Sequence, residues 1–168
     1  MRLALTPGQA VYLHGWWNPR TTLTWGDVLS NERLTLQHML GAGLTLHMLY
    51  QLQPDISRWL RAGRARLEDC PSMAQHWSAH PFRDFSADLS DLIAVRWPVD
   101  VMAKVGVTYR SLVDEAGMSQ DTMGLFTHVT LAGWAVLGFG KADAALIPEP
   151  TLIRLFGMGK ADVLRALK

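Results

Sequence analysis

The chain has 168 residues, enough for one domain with a substantial hydrophobic core. Apolar residues make up 49% and charged residues only 18%, below the roughly 25% usual for soluble domains, so part of the surface is expected to meet a partner. The net charge of +1 argues against a protein that lives on nucleic acid, and the single cysteine excludes an intramolecular disulfide.

Residues 1–22 are predicted to form an irregular arm, because Pro7 and Pro19 with neighbouring Gly and Asn residues interrupt any long helix. Trp16 and Trp17 are expected to lie on a hydrophobic surface and are candidates for contact with a partner, since Trp is enriched at interfaces. The arm shows no secretory pattern. The apolar stretch 129–140 is shorter than the roughly 20 residues that a membrane helix needs, so no membrane span is expected.

Residues 23–168 are predicted to form a single all-helical domain. Its first helices are expected to begin where Thr or Asp can cap an N-terminus. These positions are Thr24, Thr35, Thr45, Asp55 and either Asp88 or Ser90. Residues 64–86 are expected to be the least regular part, with Pro71 and Pro81 acting as helix breakers.

Residues 99–168 are predicted to be repeat-like, because a glycine followed by an apolar and a small residue recurs there. Glycine just past a helix end can adopt the left-handed conformation, and the Ser or Thr that follows can cap the next helix. Thr108, Ser119 and Thr130 are the predicted helix starts. The glycine spacing indicates a unit of about ten residues, and no stretch alternates as a strand would. The predicted fold is therefore all-α: a compact array of short helices joined by glycine turns.

Two near-identical hexapeptides, residues 138–143 and 157–162, are the strongest candidates for a binding site. Residues 152–160 resemble a helix-hairpin-helix DNA-binding element, and residues 137–141 match it in part. In that family the N–H groups of the turn, aided by nearby basic side chains, contact a phosphate. The resemblance therefore implies that the residues of both turns contact phosphate. These are Gly138, Gly140, Lys141, Gly157, Gly159 and Lys160. Asp143 and Asp162 place negative charge where a phosphate would approach, and acids stabilise helix N-termini, so they favour ordinary turns over phosphate sites.

The basic cluster of the chain consists of Arg58, Arg61, Arg64 and Arg66, of which the first three recur every third residue. Because acidic residues flank them, a solvated face or an acidic protein partner is favoured over a nucleic acid. No catalytic pattern is recognisable, and Cys70 with His76 and His80 lacks the spacing of a zinc site. We therefore predict no catalytic residue, no metal and no cofactor.

Residues 123–126 and 130–139 resemble short-helix proteins of large DNA viruses, in which helices begin at Thr and end at Gly. The resemblance implies a virion-associated structural or accessory protein that packs beside capsid or core components. The single cysteine and the missing secretory pattern favour a location inside the cell or in an assembled particle. The leading hypothesis is thus a non-enzymatic protein that binds protein subunits, in a self or heterologous assembly. The alternative is a helix-hairpin-helix protein that contacts the phosphate backbone of a nucleic acid.

Overall fold

A computed structural model describes residues 6, 9, 25–31, 33–52, 59–60 and 62–167 of the chain. In these ranges all regular structure is helical and no strand is present, which confirms the predicted all-α fold of short helices. The chain packs as two compact units, Met1–Ala79 and His80–Lys168, and the boundary between them falls inside residues 23–168, for which the sequence predicts a single domain. The predicted arm lies outside the described residues except for Thr6 and Gln9.

The helices are short in both units. The first unit contains α1 (Trp25–Ser30), α2 (Leu36–Gly41), α3 (Leu46–Leu52) and α4 (Cys70–Trp77). The second contains α5 (Pro81–Phe85), α6 (Leu89–Val95), α7 (Val99–Lys104), α8 (Tyr109–Asp114), α9 (Gln120–Met123), α10 (Leu131–Val136), α11 (Lys141–Leu146), α12 (Glu149–Phe156) and α13 (Lys160–Ala166). None of the described helices has the length and apolar character needed to cross a membrane.

The second unit repeats one helix start about every ten residues. From α6 onward the N-cap residues are Asp88, Pro98, Thr108, Ser119, Thr130, Gly140, Pro148 and Gly159. The Oγ1 atoms of Thr108 and Thr130 accept the N–H of the third residue that follows, at 3.0 and 3.2 Å. The predicted Thr and Ser caps are therefore present, and the unit of about ten residues is the spacing between them.

A fixed burial pattern accompanies each helix start. The fourth residue after every one of these N-caps is at most 2% exposed: Leu92, Met102, Leu112, Met123, Trp134, Ala144, Leu152 and Val163. In most cases the residue just before the N-cap is also buried, for example Val107, Phe139 and Ile147. These two buried positions are the ones that a hydrophobic staple uses to fix how the chain enters a helix. Helices of four to eight residues are marginal alone, so packing of these side chains stabilises them.

The two hexapeptides close their helices with left-handed glycines, as predicted, but with different hydrogen bonds. Gly138 has φ +94°, and the Phe139 N–H donates to the Trp134 carbonyl at 2.9 Å, as in a Schellman motif. Gly157 has φ +68°, and its own N–H donates to the Ile153 carbonyl at 2.7 Å, as in the simpler αL motif.

One local prediction is wrong. Pro71 and Pro81 do not break helices but lie in the first turns of α4 and α5, where the missing N–H has no intrahelical partner to lose. Glycine is also not the only residue that ends a helix in the left-handed conformation. Ser78, Ser86 and Arg96 do so with φ of 51°, 51° and 49°.

Candidate interaction groove

A groove of about 600 Å³ lies within the second unit, lined by residues of α8, α9 and α11 and the segments beside them. Met118 and Ile147, each just before an N-cap, are buried and form its apolar base. Val113 and Leu146 line it as well, but they are 37% and 81% exposed. The groove therefore combines a packed base with apolar side chains that water still reaches.

Helical periodicity explains why Val113 and Leu146 are exposed. They lie five and six residues after their N-caps, whereas the buried position is the fourth. Each residue turns a helix by about 100°, so positions five and six point away from the core. Leu125, Val136 and Ile153 occupy the same two positions in their repeats and are 56%, 65% and 51% exposed. These five residues were missed from the sequence, although their distance from each N-cap was a usable signal.

The groove carries more negative than positive charge. Asp114, Asp121 and Asp143 line it with a single cation, Arg110. Burial, and then the negative charge of Asp143, raise the pKa of Tyr109 in the same groove. The Tyr109 phenol therefore remains protonated at neutral pH and can donate a hydrogen bond.

Carboxylates occupy the glycine turns that were predicted to contact phosphate. In the first turn the Gly140 N–H donates to Asp143 Oδ2 at 2.8 Å. In the second, the Lys160 N–H donates to Glu149 Oε1 at 3.1 Å, and Glu149 lies beside Gly159. At both helix starts a backbone N–H that would meet a phosphate is thus already paired with an acidic side chain of the same unit.

The two hexapeptide lysines have different environments. Lys160 Nζ donates to the carbonyls of Ala145 and Ile147, at 2.6 and 3.2 Å. These carbonyls lie at the C-terminal end of α11, so this ammonium joins α13 to α11. Lys141 is exposed, and its ammonium makes no hydrogen bond or ion pair with any described residue. Lys141 is therefore the lysine of the pair whose charge is available to a partner.

The expectation of an exposed basic cluster is wrong at Arg64. This residue is only 5% exposed, and its guanidinium donates to the carbonyls of Leu29, Asn31 and Leu34 at 2.9, 2.7 and 2.6 Å. The same guanidinium lies 4.0 Å from the ring centroid of Trp59, a cation–π distance. Arg64 therefore stabilises the interior of the first unit and is not accessible to a partner.

The remaining interaction candidates, Trp16, Trp17, Arg58 and Arg61, lie outside the described residues. Of the tryptophans whose burial is described, Trp59, Trp97 and Trp134 are buried and Trp77 is half-buried. In these positions the indoles contribute mainly to packing.

The first unit contains a partly exposed aromatic cluster of His47, Tyr50, His76 and Trp77. Ring centroids lie 5.9 Å apart for His47 and His76, and 5.7 Å apart for Tyr50 and Trp77. Cys70, in the same unit, is buried. Among the described residues no three His, Cys, Asp or Glu side chains are grouped closely enough to hold a metal ion.

The carboxylates of Asp84, Asp88 and Asp91, spaced four and three residues apart, serve local roles. Asp88 and Asp91 each accept the other's backbone N–H at the start of α6, both at 2.9 Å. Burial would raise the pKa of Asp84, but hydrogen bonds from Arg83 and the His80 backbone N–H, with the charges of both residues, lower it below its ordinary value. The three carboxylates thus act as helix caps and as a partner of Arg83.

No family model, curated protein or solved structure matches this chain.

Proposed function

We propose that this chain is a non-enzymatic interaction protein that docks onto protein subunits of a larger assembly. The observation that carries this proposal is the set of large apolar side chains exposed on the second unit. They are Val113, Leu125, Val136, Leu146 and Ile153. Two of them, Val113 and Leu146, line the same groove.

These side chains favour association because of what they would gain in an interface. Fully burying a Val, Leu or Ile side chain contributes about 1.5–3 kcal/mol. Leu146 is 81% exposed and so retains most of that contribution for a partner. Four of them lie on helices α8, α10, α11 and α12, and Leu125 lies in the turn just after α9. The inner position of each of these repeats is packed, so the five side chains are displayed on an ordered surface. The low charged fraction of the chain, 18%, supports the same conclusion.

The assembly that we propose is a virion or a comparable particle. The support is the likeness of residues 123–126 and 130–139 to short-helix proteins of large DNA viruses. In this structure those residues include the last residue of α9, the turn that follows it and all of α10, together with two of the exposed apolar side chains, Leu125 and Val136. The resemblance thus falls on a part of the chain that presents apolar surface.

Light scattering across a dilution series, together with capture from an extract of the protein's source, tests the proposal. We expect self-association at high concentration or the specific retention of a protein partner. A chain that is monomeric at every concentration and retains no protein would overturn the proposal.

The nucleic-acid alternative has less support, because acidic side chains occupy both glycine turns. A gel-shift assay with a salt titration tests it, since phosphate contacts make affinity fall steeply with salt. Lys141→Glu is the informative variant, because the Lys160 ammonium is already bound within the chain. Binding at low salt that Lys141→Glu abolishes would favour this alternative over the protein-docking proposal.

A further inference from the structure

We propose that the groove lined by α8, α9 and α11 binds a short basic amphipathic helix of a partner protein, which inserts an apolar side chain beside Val113 and Leu146. This inference rests on the proposed function and adds the site and the chemistry of the partner. The groove lies wholly within the second unit.

The apolar part of the groove fits an inserted side chain. The groove as a whole has a volume of about 600 Å³, within the range of about 300–1,000 Å³ typical of ligand pockets. Met118 lies at the base, and a methionine side chain adapts its shape to what packs against it. Val113 and Leu146 would bury their exposed surfaces against the insert. An amphipathic helix supplies apolar side chains on one face, as in other helix-in-groove complexes.

The charges of the groove select a basic partner. Asp114, Asp121 and Asp143 outnumber Arg110. Asp121 already accepts a hydrogen bond from Arg154 of the same unit, with Nη2 and Oδ1 2.6 Å apart. An arginine of the partner would make the same kind of contact with an aspartate of the groove. Counting Arg154, the groove still has one more negative than positive charge. Lysine and arginine around the inserted side chain are therefore favoured, and acidic segments are repelled.

The same charges argue against a second copy of this chain in the groove. A twofold dimer would bring the same patch of both subunits face to face. Each subunit would then bring three aspartates to the interface but only one groove-lining arginine to balance them. Like charges brought together across an interface are unfavourable, so a different, basic chain is the better occupant.

A fluorescently labelled synthetic peptide provides the test. The probe contains only leucine, lysine and alanine, with leucine at positions i, i+3, i+4 and i+7, and its control carries glutamate at every lysine position. Fluorescence anisotropy with the full chain should show binding of the lysine peptide. The glutamate peptide should bind at least about tenfold more weakly, because its carboxylates are repelled by the aspartates of the groove.

Leu146→Lys and Val136→Lys form a matched pair of variants. Both place the same charge at an exposed apolar position, but Val136 does not line the groove. Leu146→Lys should weaken binding of the lysine peptide about tenfold or more, because it removes the apolar contact and adds a like charge. Val136→Lys should change the affinity by less than about twofold. Far-UV circular dichroism checks that both variants keep the helical content of the parent chain.

Three results would overturn this inference while leaving the proposed function to its own dilution and capture test. One is equal binding of the lysine and glutamate peptides. Another is equal loss of binding in the Leu146→Lys and Val136→Lys variants. The third is self-association that Leu146→Lys abolishes, since a second copy would then occupy the groove.

Discussion

Alanine at Gly138 or Gly157 should destabilise the chain through the backbone alone. A Cβ atom at either position would meet no heavy atom within 4 Å, so no neighbouring side chain is disturbed. The strain comes from φ, which is +94° at Gly138 and +68° at Gly157. Residues other than glycine have a small left-handed region near +50° to +70°, so Gly157 lies at its edge and Gly138 lies outside it.

The magnitude follows from two opposing effects. A left-handed backbone costs an L-residue about 1–2 kcal/mol. Alanine recovers about 0.4–1 kcal/mol, because it leaves the unfolded chain fewer conformations than glycine does. We therefore expect Gly157→Ala to lower the free energy of unfolding by about 1 kcal/mol or less, and Gly138→Ala to lower it further. Gly138→Val and Gly157→Val should each cost more than about 1 kcal/mol, since β-branched residues resist positive φ.

Urea denaturation followed by far-UV circular dichroism measures these differences. Gly124→Ala is the matched control, because Gly124 has φ −65° and ψ −16°, which alanine adopts readily. Its Cβ would lie 3.4 Å from the nearest atoms, so the variant should be unchanged or more stable by about 0.4–1 kcal/mol. If Gly138→Ala and Gly124→Ala have the same stability, Gly138 does not close its helix through a left-handed backbone.

Three further substitutions test the packing and the charges. Gly133→Ala should lower the melting temperature, because the new Cβ would lie 2.9 Å from Val99 Cγ2. Overpacking costs about 1–3 kcal/mol, which exceeds the roughly 1 kcal/mol that alanine gains over glycine in a helix. A higher melting temperature would contradict the close contact. Lys160→Met should lower the free energy of unfolding, measured in urea, by about 1 kcal/mol, since two carbonyls lose their ammonium donor. The control Lys141→Met should change it by less than about 0.5 kcal/mol. Equal effects would show that the Lys160 hydrogen bonds do not stabilise the chain. Asp84→Asn should be less stable than the parent at neutral pH. The folded state lowers the pKa of Asp84, so the stabilisation from its carboxylate is fully present above the ordinary pKa of 3.8 and is lost as the pH falls through the lowered pKa of the folded state. The stabilities of Asp84→Asn and the parent chain should therefore converge in acid. A difference that persists in acid would contradict this assignment.

The helix starts and stops could be predicted because they depend on neighbouring residues. Thr108 and Thr130 cap the N–H three positions later, and Gly138 ends the helix immediately before it. Pro71 and Pro81 were misread, because proline fits the first turn of a helix as well as it interrupts a later one. Local sequence alone did not distinguish the two roles.

The candidate site was largely missed. The exposure of Val113 and Leu146 becomes visible only after each N-cap is located, since five or six residues from it is an outward position. Glu149 was also missed as the partner of the second glycine turn, because it lies 11 residues before the N–H that it accepts.

By itself, the sequence determined the all-α character, the helix starts at Thr108, Ser119 and Thr130, and the glycine turns between helices. These features depend on caps and backbone conformations that act within one turn of helix. Only the tertiary structure decided that Arg64 is buried, that the Lys160 ammonium binds carbonyls of α11, and that exposed apolar and acidic side chains share one groove. The physical reason is distance along the chain: burial and charge pairing depend on residues that meet only after the helices have packed.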